Sequence, residues 1–238
     1  MYKNNIITVV IPAYNEEEGL KATKLLLPDF IDNIVVINNN STDDTFNVAK
    51  GIGAIVINEN NKGYGAAYKA GFKNIPQNTD FIVTCDADGT YPMDDLDKIL
   101  DLLIYDNFDF IICSRFPLRD ENSMYWLNKF GNYCLTFIFN LLTGVHIKDS
   151  QTGMWVFRKN ILDKIKLRSD GMPLSEEIKM EVVLNKDIKW REYNIGYYER
   201  TGKTKLKAFK DGWINLKYLF LKRLRIWYRK IKNKKAQE

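Results

Sequence analysis

Short apolar runs rich in β-branched residues alternate with helical stretches through the first half of the chain, and this alternation limits the fold more than any other feature. Continuous apolar runs suit strands buried on both faces, as in a parallel sheet covered by helices. The predicted strands are 6–11, 34–37, 54–57, 81–85 and 109–113. The predicted helices are 16–27, 43–50, 65–74 and 93–105. The sequence therefore predicts an α/β fold with a doubly wound, mostly parallel sheet and helices on both faces.

The second half of the chain is predicted to complete the same domain. A mostly apolar helix is expected at 124–142, strands at 154–158 and 189–195, and a further helix at 175–185. No repeat, low-complexity linker or Pro/Gly-rich boundary separates these elements from the first half. We predict one domain over residues 1–206 and a basic amphipathic helical tail within 207–238.

The tail concentrates the positive charge. Of 35 basic and 30 acidic residues, thirteen basic and two acidic ones follow Gly202, which leaves 22 basic and 28 acidic residues before it. Apolar residues recur in the tail every three or four positions, at Trp213, Leu216, Phe220, Leu224, Trp227 and Ile231. This pattern is typical of a helix lying on an anionic membrane surface. The alternative is that the stripe docks on the domain or on a second subunit. Nucleic acid is not expected as a partner, because the rest of the chain is acidic.

Three features bear on the compartment. The cysteines, Cys85, Cys113 and Cys134, lack the paired spacing of a zinc site or disulfide framework, so we expect reduced thiols. The first residues lead into a predicted strand without the apolar core of a signal peptide. The longest uncharged window, 130–147, carries several polar residues and is not predicted to span a membrane. We therefore expect a cytoplasmic protein.

Two aspartates follow the predicted strand at 81–85. Asp86 and Asp88 are two positions apart on an extended chain, so their carboxylates should point to the same side. Doubly wound sheets bind ligands at the carboxyl ends of their strands. Paired carboxylates there suit Mg²⁺ or Mn²⁺, whose other ligands are typically water and substrate phosphates. This interpretation predicts a nucleotide diphosphate or similar leaving group; the alternative is that the aspartates only shape a turn or cap a helix.

Three more polar segments open at the same predicted edge. Residues 10–17, VIPAYNEE, end a strand and start a helix, and Asn15 as N-cap with the following acids explains them without a ligand. Residues 36–43, VINNNSTD, again join a strand to a helix through a polar turn. Residues 61–67, NKGYGAA, offer glycine amides and a helix N-terminus that suit a phosphate.

In this order, the segments resemble those of glycosyltransferase family 2, the inverting enzymes with a GT-A fold. The downstream segments extend the resemblance to the polyprenyl-phosphate subgroup, which includes dolichyl-phosphate mannose synthase and dolichyl- or undecaprenyl-phosphate glucosyltransferases. These segments are SR at 114–115, GN at 131–132, DSQTGM at 149–154, PLSEEI at 173–178, RTGKTK at 200–205 and DGW at 211–213. The resemblance covers about residues 6–221, and it implies a GT-A catalytic domain over 1–206.

The resemblance implies a role for particular residues on the donor side. The base and ribose would contact Pro12, Ala13, Tyr14, Glu16 and Asn39. Lys62 and Gly65 would lie near the nucleotide, and Asp86 and Asp88 would hold Mg²⁺ or Mn²⁺ on the diphosphate of the nucleotide sugar.

On the acceptor side, the resemblance places three cations and a sugar site. Arg115, Arg200 and Lys205 would surround the transferred sugar and the acceptor phosphate. Gln151, Thr152 and Glu177 would line the sugar site. We predict that Asp88, Arg115, Arg200 and Glu177 carry the catalytic roles.

Four positions depart from the family pattern. In the segment at 36–43, Asn38 and Asn39 replace the aspartates usual in the family. The base of the donor nucleotide, UDP or GDP, therefore stays undecided. Thr90 stands where a metal-contacting Gln is frequent, and Lys129 stands where an acceptor-binding Arg is common.

The acceptor decides the mechanism. A polyprenyl phosphate is already an anion at neutral pH and needs positioning and neutralisation but no general base. The lone His146 is accordingly interpreted as structural. The sequence predicts a peripheral enzyme at the cytosolic face that transfers one sugar to a polyprenyl phosphate. Whether a membrane protein or a second copy of the chain is a further partner stays open. Two alternatives stay open: a saccharide hydroxyl acceptor with Asp149 or Glu177 as base, and a non-catalytic nucleotide-sugar-binding subunit.

Overall fold

A computed structural model describes residues 1–202 and 208–235, with the backbone alone for residues 208–209 and 229–235. Within these ranges the sheet has seven strands: β1 (Ile7–Ala13), β2 (Asn33–Asn38), β3 (Ile55–Asn58), β4 (Phe81–Thr84), β5 (Phe110–Ser114), β6 (Trp155–Arg158) and β7 (Trp190–Asn194). The strand order is β3-β2-β1-β4-β6-β5-β7, and only β6 runs antiparallel to its neighbours. The predicted α/β fold with a doubly wound, mostly parallel sheet is confirmed.

Helices connect the strands and cover both faces of the sheet. They are α1 (Glu17–Leu26), α2 (Thr45–Gly51), α3 (Tyr64–Lys73), α4 (Leu96–Ile104), α5 (Trp126–Thr143), α6 (Ile161–Lys164), α7 (Leu174–Val183) and α8 (Ala208–Lys235). A short 3-10 turn precedes α5 at Glu121–Ser123. Helix α6 was not predicted, because four residues are too few to show helical periodicity.

The central strand β1 shows why the apolar runs are continuous. Ile7, Val9 and Ile11 enter one hydrophobic cluster, whereas Val10 enters the cluster on the opposite face. Both faces of the strand are therefore buried, and no position along it is free to be polar on a solvent face. The strand also runs through Pro12, which pairs with Ile37 of β2, so it extends two residues beyond the predicted end at residue 11.

The sheet order fixes where a ligand can bind. Strand β1 lies between β2 and β4 with parallel pairing on both sides, so the segments after all three strands emerge at one edge. These segments carry three of the polar motifs found in the sequence. Adjacent parallel strands whose connections leave in opposite directions form the crevice in which such sheets bind ligands.

Helix α8 packs against α5 and α7. Among residues 210–228 of this helix, the buried side chains are Asn215, Leu219, Lys222 and Ile226, spaced by three or four residues as one face of a helix requires. The division of the chain at residues 206 and 207 stays a prediction, since the described part of α8 shares the hydrophobic cluster of α7 through Leu219 and Ile226. None of the helices in the described residues combines the length and apolar composition needed to cross a bilayer.

Candidate active site

The two aspartates of the sequence motif stand directly after β4. Asp86 Oδ1 accepts a hydrogen bond from the Tyr64 hydroxyl at 3.1 Å. Asp88 is buried, and its Oδ1 accepts from the Thr90 amide at 3.2 Å and the Thr90 hydroxyl at 2.7 Å. Thr90, at one of the positions that depart from the family pattern, therefore orients Asp88.

The aspartate pair carries more negative charge than its surroundings balance. Burial and, to a smaller extent, the neighbouring Asp88 charge raise the pKa of Asp86 to about 7, although the Tyr64 hydrogen bond and the charges of Arg115 and Arg200 oppose the shift. A divalent cation held by these carboxylates would offset both effects, and hard oxygen ligands fit Mg²⁺ or Mn²⁺. The described residues offer no group of three or more His, Cys, Asp or Glu side chains for a metal. The other ligands would have to be water and substrate oxygens.

Arg200 joins the first motif to the aspartates. Its Nη1 lies 2.9 Å from Asp88 Oδ2, and its Nη2 lies 2.5 Å from Glu16 Oε1. The buried Nε of Arg200 has no hydrogen-bond partner among the described residues. The guanidinium thus neutralises one aspartate and links it to Glu16.

Arg115 is held rigidly in the same region. Its Nε and Nη2 bind the two oxygens of Asp149 at 2.7 and 2.9 Å, and Nη2 also contacts Asn132 Oδ1 at 3.2 Å. Burial acts to raise the pKa of Asp149, but the charge and hydrogen bonds of Arg115 lower it overall. The pair is a bidentate, buried ion pair that fixes the guanidinium plane beside the aspartates.

The segments after β1 and β2, residues 10–17 and 36–43, support each other's backbone. Asn15, which the sequence suggested as an N-cap, instead adopts a left-handed conformation, and its Oδ1 accepts from the Thr42 amide at 2.7 Å. The amide of Glu16, the residue that caps α1, donates to the Thr45 hydroxyl at 2.8 Å. The cap prediction for Asn15 is therefore wrong, because the donor that satisfies it comes from the loop after β2.

The predicted nucleotide-side residues lie together at this edge. Pro12 and Ala13 end β1, and the Lys62 ammonium lies 5.8 Å from the centre of the exposed Tyr14 ring. Asn39 holds the adjacent loop, since its Oδ1 accepts from the Gly63 amide at 2.8 Å and its Nδ2 donates to the Asn61 carbonyl at 2.8 Å.

The residues predicted for the sugar site make hydrogen bonds to other parts of the protein and do not all face one site. The Thr152 hydroxyl donates to the Cys113 carbonyl at 2.7 Å and so braces the strand end. Gln151 Nε2 contacts Glu176 Oε1 at 2.5 Å, and Gln151 Oε1 accepts from Asn215 of α8 at 3.1 Å. Glu177, which was also predicted to be catalytic, instead points toward Lys222 of α8. The carboxylate that meets Gln151 is that of its neighbour Glu176. The predicted residue Lys205 lies outside the described residues.

Glu176 and Lys179 are buried charges that sequence analysis missed. The Lys179 ammonium donates to the carbonyls of Ser150, Thr152 and Ser175, each at 2.8 Å, and thereby holds the loop that carries Gln151. Burial lowers the pKa of Lys179 to about 7 despite nearby carboxylates. Both residues belong to the charged run SEEIKME, which in a sequence is typical of a solvated helix face.

Glu176 makes folding stability depend on pH. Burial raises its pKa to about 7, although Gln151 and Lys179 act in the opposite direction. Because this pKa exceeds the ordinary value of 4.5, Glu176 favours the folded state below about pH 4.5, and that contribution is lost as pH rises to about 7. Glu176→Gln has no carboxyl group to ionise, so its unfolding free energy should not fall in this way. As the pH rises from 4.5 to 7.5, we expect the variant to become more stable relative to the wild type by about 3 kcal/mol.

Urea unfolding across that pH range measures the effect, with the exposed Glu199→Gln as control. Stability curves for Glu176→Gln and wild type that stay parallel from pH 4.5 to 7.5 would contradict the assignment.

The sheet, with Asp86 and Asp88 directly after β4, has the GT-A fold. The structure resembles crystal structures of glucosyl-3-phosphoglycerate synthase from Mycobacterium tuberculosis, one of them in complex with Mn²⁺, UDP and glucosyl-3-phosphoglycerate. For that structure the TM-score is 0.71 at 18% identity, with coverage of 92% of this chain and 80% of that one. At this identity the likeness shows the fold.

The family follows from the sequence comparison. The model of glycosyl transferase family 2 matches residues 8–166. The chain therefore belongs to glycosyl transferase family 2, and the predicted enzyme class, a glycosyltransferase, is confirmed.

Similar proteins are known in archaea. The chain is 34% identical over 224 residues to the low-salt glycan biosynthesis hexosyltransferase Agl6 of Haloferax volcanii, with coverage of 90% of this chain but only 53% of that protein. It is 32% identical over 218 residues to a dolichyl-phosphate hexose transferase of the same organism, with coverage of 89% and 91%. It is also 32% identical over 180 residues to a UDP-N-acetylglucosamine–dolichyl-phosphate N-acetylglucosaminyltransferase of Methanococcus voltae, with coverage of 67% and 72%.

Proposed function

We propose that this chain is an inverting, metal-dependent hexosyltransferase that moves one sugar from a nucleotide diphosphate sugar to a polyprenyl phosphate such as dolichyl or undecaprenyl phosphate. The product would be a β-linked glycosyl phosphate lipid. The observation that carries the proposal is the position of Arg200 against the aspartate pair, with its Nη1 2.9 Å from Asp88 Oδ2, while the charge of Arg115 also acts on Asp86. Relatives named for transfer to dolichyl phosphate support it.

The donor is held by the carboxylates and the glycine segment. Asp86 and Asp88 would bind Mg²⁺ or Mn²⁺, which would stabilise the negative charge of the departing diphosphate. Lys62 and Tyr14 would contact the nucleotide, with Gly65 near it at the start of α3. We infer a UDP-glucose-like donor, with GDP-mannose as the alternative, because DSQTGM and PLSEEI are nearer to the glucosyltransferase pattern.

The ionisation of the carboxylates favours a phosphate acceptor over a saccharide hydroxyl. A hydroxyl acceptor needs a general base, and Asp149 and Glu177 were the candidates. Both lie in ion pairs that lower their pKa, despite the opposing effect of burial, and so weaken them as bases. Glu176 has the higher pKa but is fully buried beneath Gln151. A phosphate oxygen needs no deprotonation, and Arg200, Arg115 and Lys205 would hold it in line with the anomeric carbon.

The outward faces of α5 and α8 fit a membrane surface. The buried side of α5 includes Phe139 and the polar residues Asn132, Thr136 and Thr143, whereas several large apolar residues of the helix face outward. We call these outward residues, together with those of the neighbouring α8, the apolar surface. It consists of Trp126, Phe130, Phe137 and Leu141 on α5 and Trp213, Phe220, Leu224 and Trp227 on α8. Exposed Lys217 and Arg225 accompany it, so we infer insertion into the interface of anionic lipid at the cytosolic face.

The apolar surface can be tested with vesicles. The double variant Phe137→Ser/Trp227→Ser should bind anionic vesicles at least about tenfold more weakly, because each exposed aromatic ring contributes more than 1 kcal/mol on entering lipid. Co-sedimentation measures it. The matched control is Leu25→Ser/Tyr105→Ser, which removes two residues exposed by 87% and 66% away from that surface. Equal vesicle binding by both double variants would refute the inference.

A panel of acceptors tests the proposed reaction. The protein is incubated with labelled UDP- or GDP-sugar and a polyprenyl phosphate, the free polyprenol, or a saccharide. Label on the lipid phosphate alone supports the proposal. Label on the saccharide alone would favour the hydroxyl-acceptor alternative, and donor binding without transfer to any acceptor would favour a non-catalytic role.

A further inference from the structure

Lys222 of α8 is a buried lysine with a full set of partners. Its side chain is 5% exposed. The ammonium lies 2.7 Å from Glu177 Oε1 and 2.6 Å from Glu181 Oε1, and it also donates to the Lys166 carbonyl at 3.2 Å. Three acceptors match the three donors of an ammonium group. The ion pairs therefore tie α8 to α7 in one geometry.

The second oxygen of Glu177 holds a loop. Glu177 Oε2 accepts from the Arg168 amide at 2.9 Å and from the Ser169 amide at 2.7 Å. Burial acts to raise the pKa of Glu177, but these amides and Lys222 lower it, which keeps the carboxylate charged. Hydrogen bonds from two amides to one charged oxygen fix the backbone at residues 168 and 169.

That loop forms one wall of the glycine segment at the start of α3. The Asp170 carbonyl accepts from the Ala66 amide at 3.0 Å, and the Asp170 carboxylate pairs with Lys69 at 2.5 Å. A β-carbon at Gly65 would overlap the Ser169 carbonyl oxygen, and one at Gly63 would overlap the Asp170 carbonyl oxygen. The loop and the glycine segment therefore cannot shift independently.

We propose that the Lys222–Glu177 ion pair is a positioning device for the donor site, through which α8 sets the geometry of the glycine segment at residues 62–65. The inference rests on the proposed function, because it takes that segment as part of the nucleotide site. Neither Glu177 nor Lys222 touches the donor. The device acts through the loop at 168–171, and the helix that carries part of the apolar surface becomes a determinant of donor affinity.

A pair of matched variants separates positioning from general stability. Glu177→Ala frees the loop and leaves Lys222 paired with Glu181; Glu181→Ala leaves Lys222 paired with Glu177 and the loop amides satisfied. We expect Glu177→Ala to raise the KM for donor about tenfold, equivalent to 1.4 kcal/mol, and to weaken donor binding by the same factor. Glu181→Ala should leave KM unchanged even where it lowers the melting temperature as much.

The α8 side needs a charge-balanced variant, because Lys222→Met alone would leave two buried carboxylates unpaired and risk unfolding. The double variant Glu181→Leu/Lys222→Met removes one charge of each sign. We expect it to weaken donor binding about as much as Glu177→Ala does. Adding Glu177→Ala to it should cause little further loss, because both changes break the same connection.

Calorimetric binding of UDP and of GDP, each with Mg²⁺, to the full-length wild type, Glu177→Ala and Glu181→Ala decides the matter. A roughly tenfold weaker binding in Glu177→Ala alone supports the inference. Equal affinity in Glu177→Ala and wild type, or an equal loss in both variants, would overturn it. A wild type that binds neither nucleotide would instead overturn the donor site of the proposed function, and the inference with it.

Discussion

Asp88→Asn should lower the rate of sugar transfer at least about a hundredfold while the protein remains folded. Asparagine keeps the shape of the side chain and an oxygen for the Thr90 hydrogen bonds, but it removes the charge that would hold the metal and that now pairs with Arg200. Binding of the diphosphate should weaken in parallel, because a metal with one carboxylate ligand fewer is held less tightly.

Steady-state transfer at several Mg²⁺ and Mn²⁺ concentrations, with circular dichroism to verify the fold, measures this effect. Asp106→Asn is the control, because Asp106 is an exposed carboxylate that follows α4. Transfer by Asp88→Asn at the wild-type rate in the presence of chelator would contradict the metal assignment.

Arg200→Ala should lower kcat about a hundredfold or more and change donor affinity little. The reason is that Arg200 would neutralise the acceptor phosphate from its position beside the aspartates, where its Nη1 lies 2.9 Å from Asp88 Oδ2. Removing the guanidinium also frees Asp88 of a competing cation, so metal binding should not weaken.

Transfer kinetics and UDP or GDP binding are compared in the same preparations. Arg191→Ala, which removes an exposed arginine on β7, serves as control. An Arg200→Ala protein that loses donor affinity as much as it loses turnover would place Arg200 on the donor side.

The sheet could be predicted from sequence because its strands are buried on both faces. Val9 and Val10 point to opposite clusters and both must be apolar, so the strand leaves an uninterrupted signal. The order of the motifs then predicts which strand ends meet. Asp86, Asp88 and Glu16 lie close to Arg200, although 184 residues separate Glu16 from Arg200. This proximity could be predicted because each of the four residues belongs to a recognised motif.

The charges of α7 could not be predicted in the same way. Every residue of α7 is buried, although its sequence is LSEEIKMEVV. Burial of these charges is tolerated because each has partners. Lys179 donates to three backbone carbonyls. Glu177 and Glu181 form ion pairs with Lys222, which is 45 positions from Glu177 and 41 from Glu181 in the chain. Nothing in the sequence marks Lys222 among the thirteen basic residues that follow Gly202. Glu176 and Glu177 are adjacent, and only the helix geometry decides which one faces Gln151.

The central claim is that the acceptor is a polyprenyl phosphate, and transfer of labelled sugar to that lipid tests it most directly. Purified protein in detergent is given labelled UDP- and GDP-sugars in turn, with Mg²⁺ or Mn²⁺ and, separately, with chelator. The account predicts a metal-dependent labelled lipid whose sugar is released by mild acid and whose anomeric linkage is β. Absence of that lipid from every donor, with the label found on a saccharide or only in intact bound donor, would contradict the account.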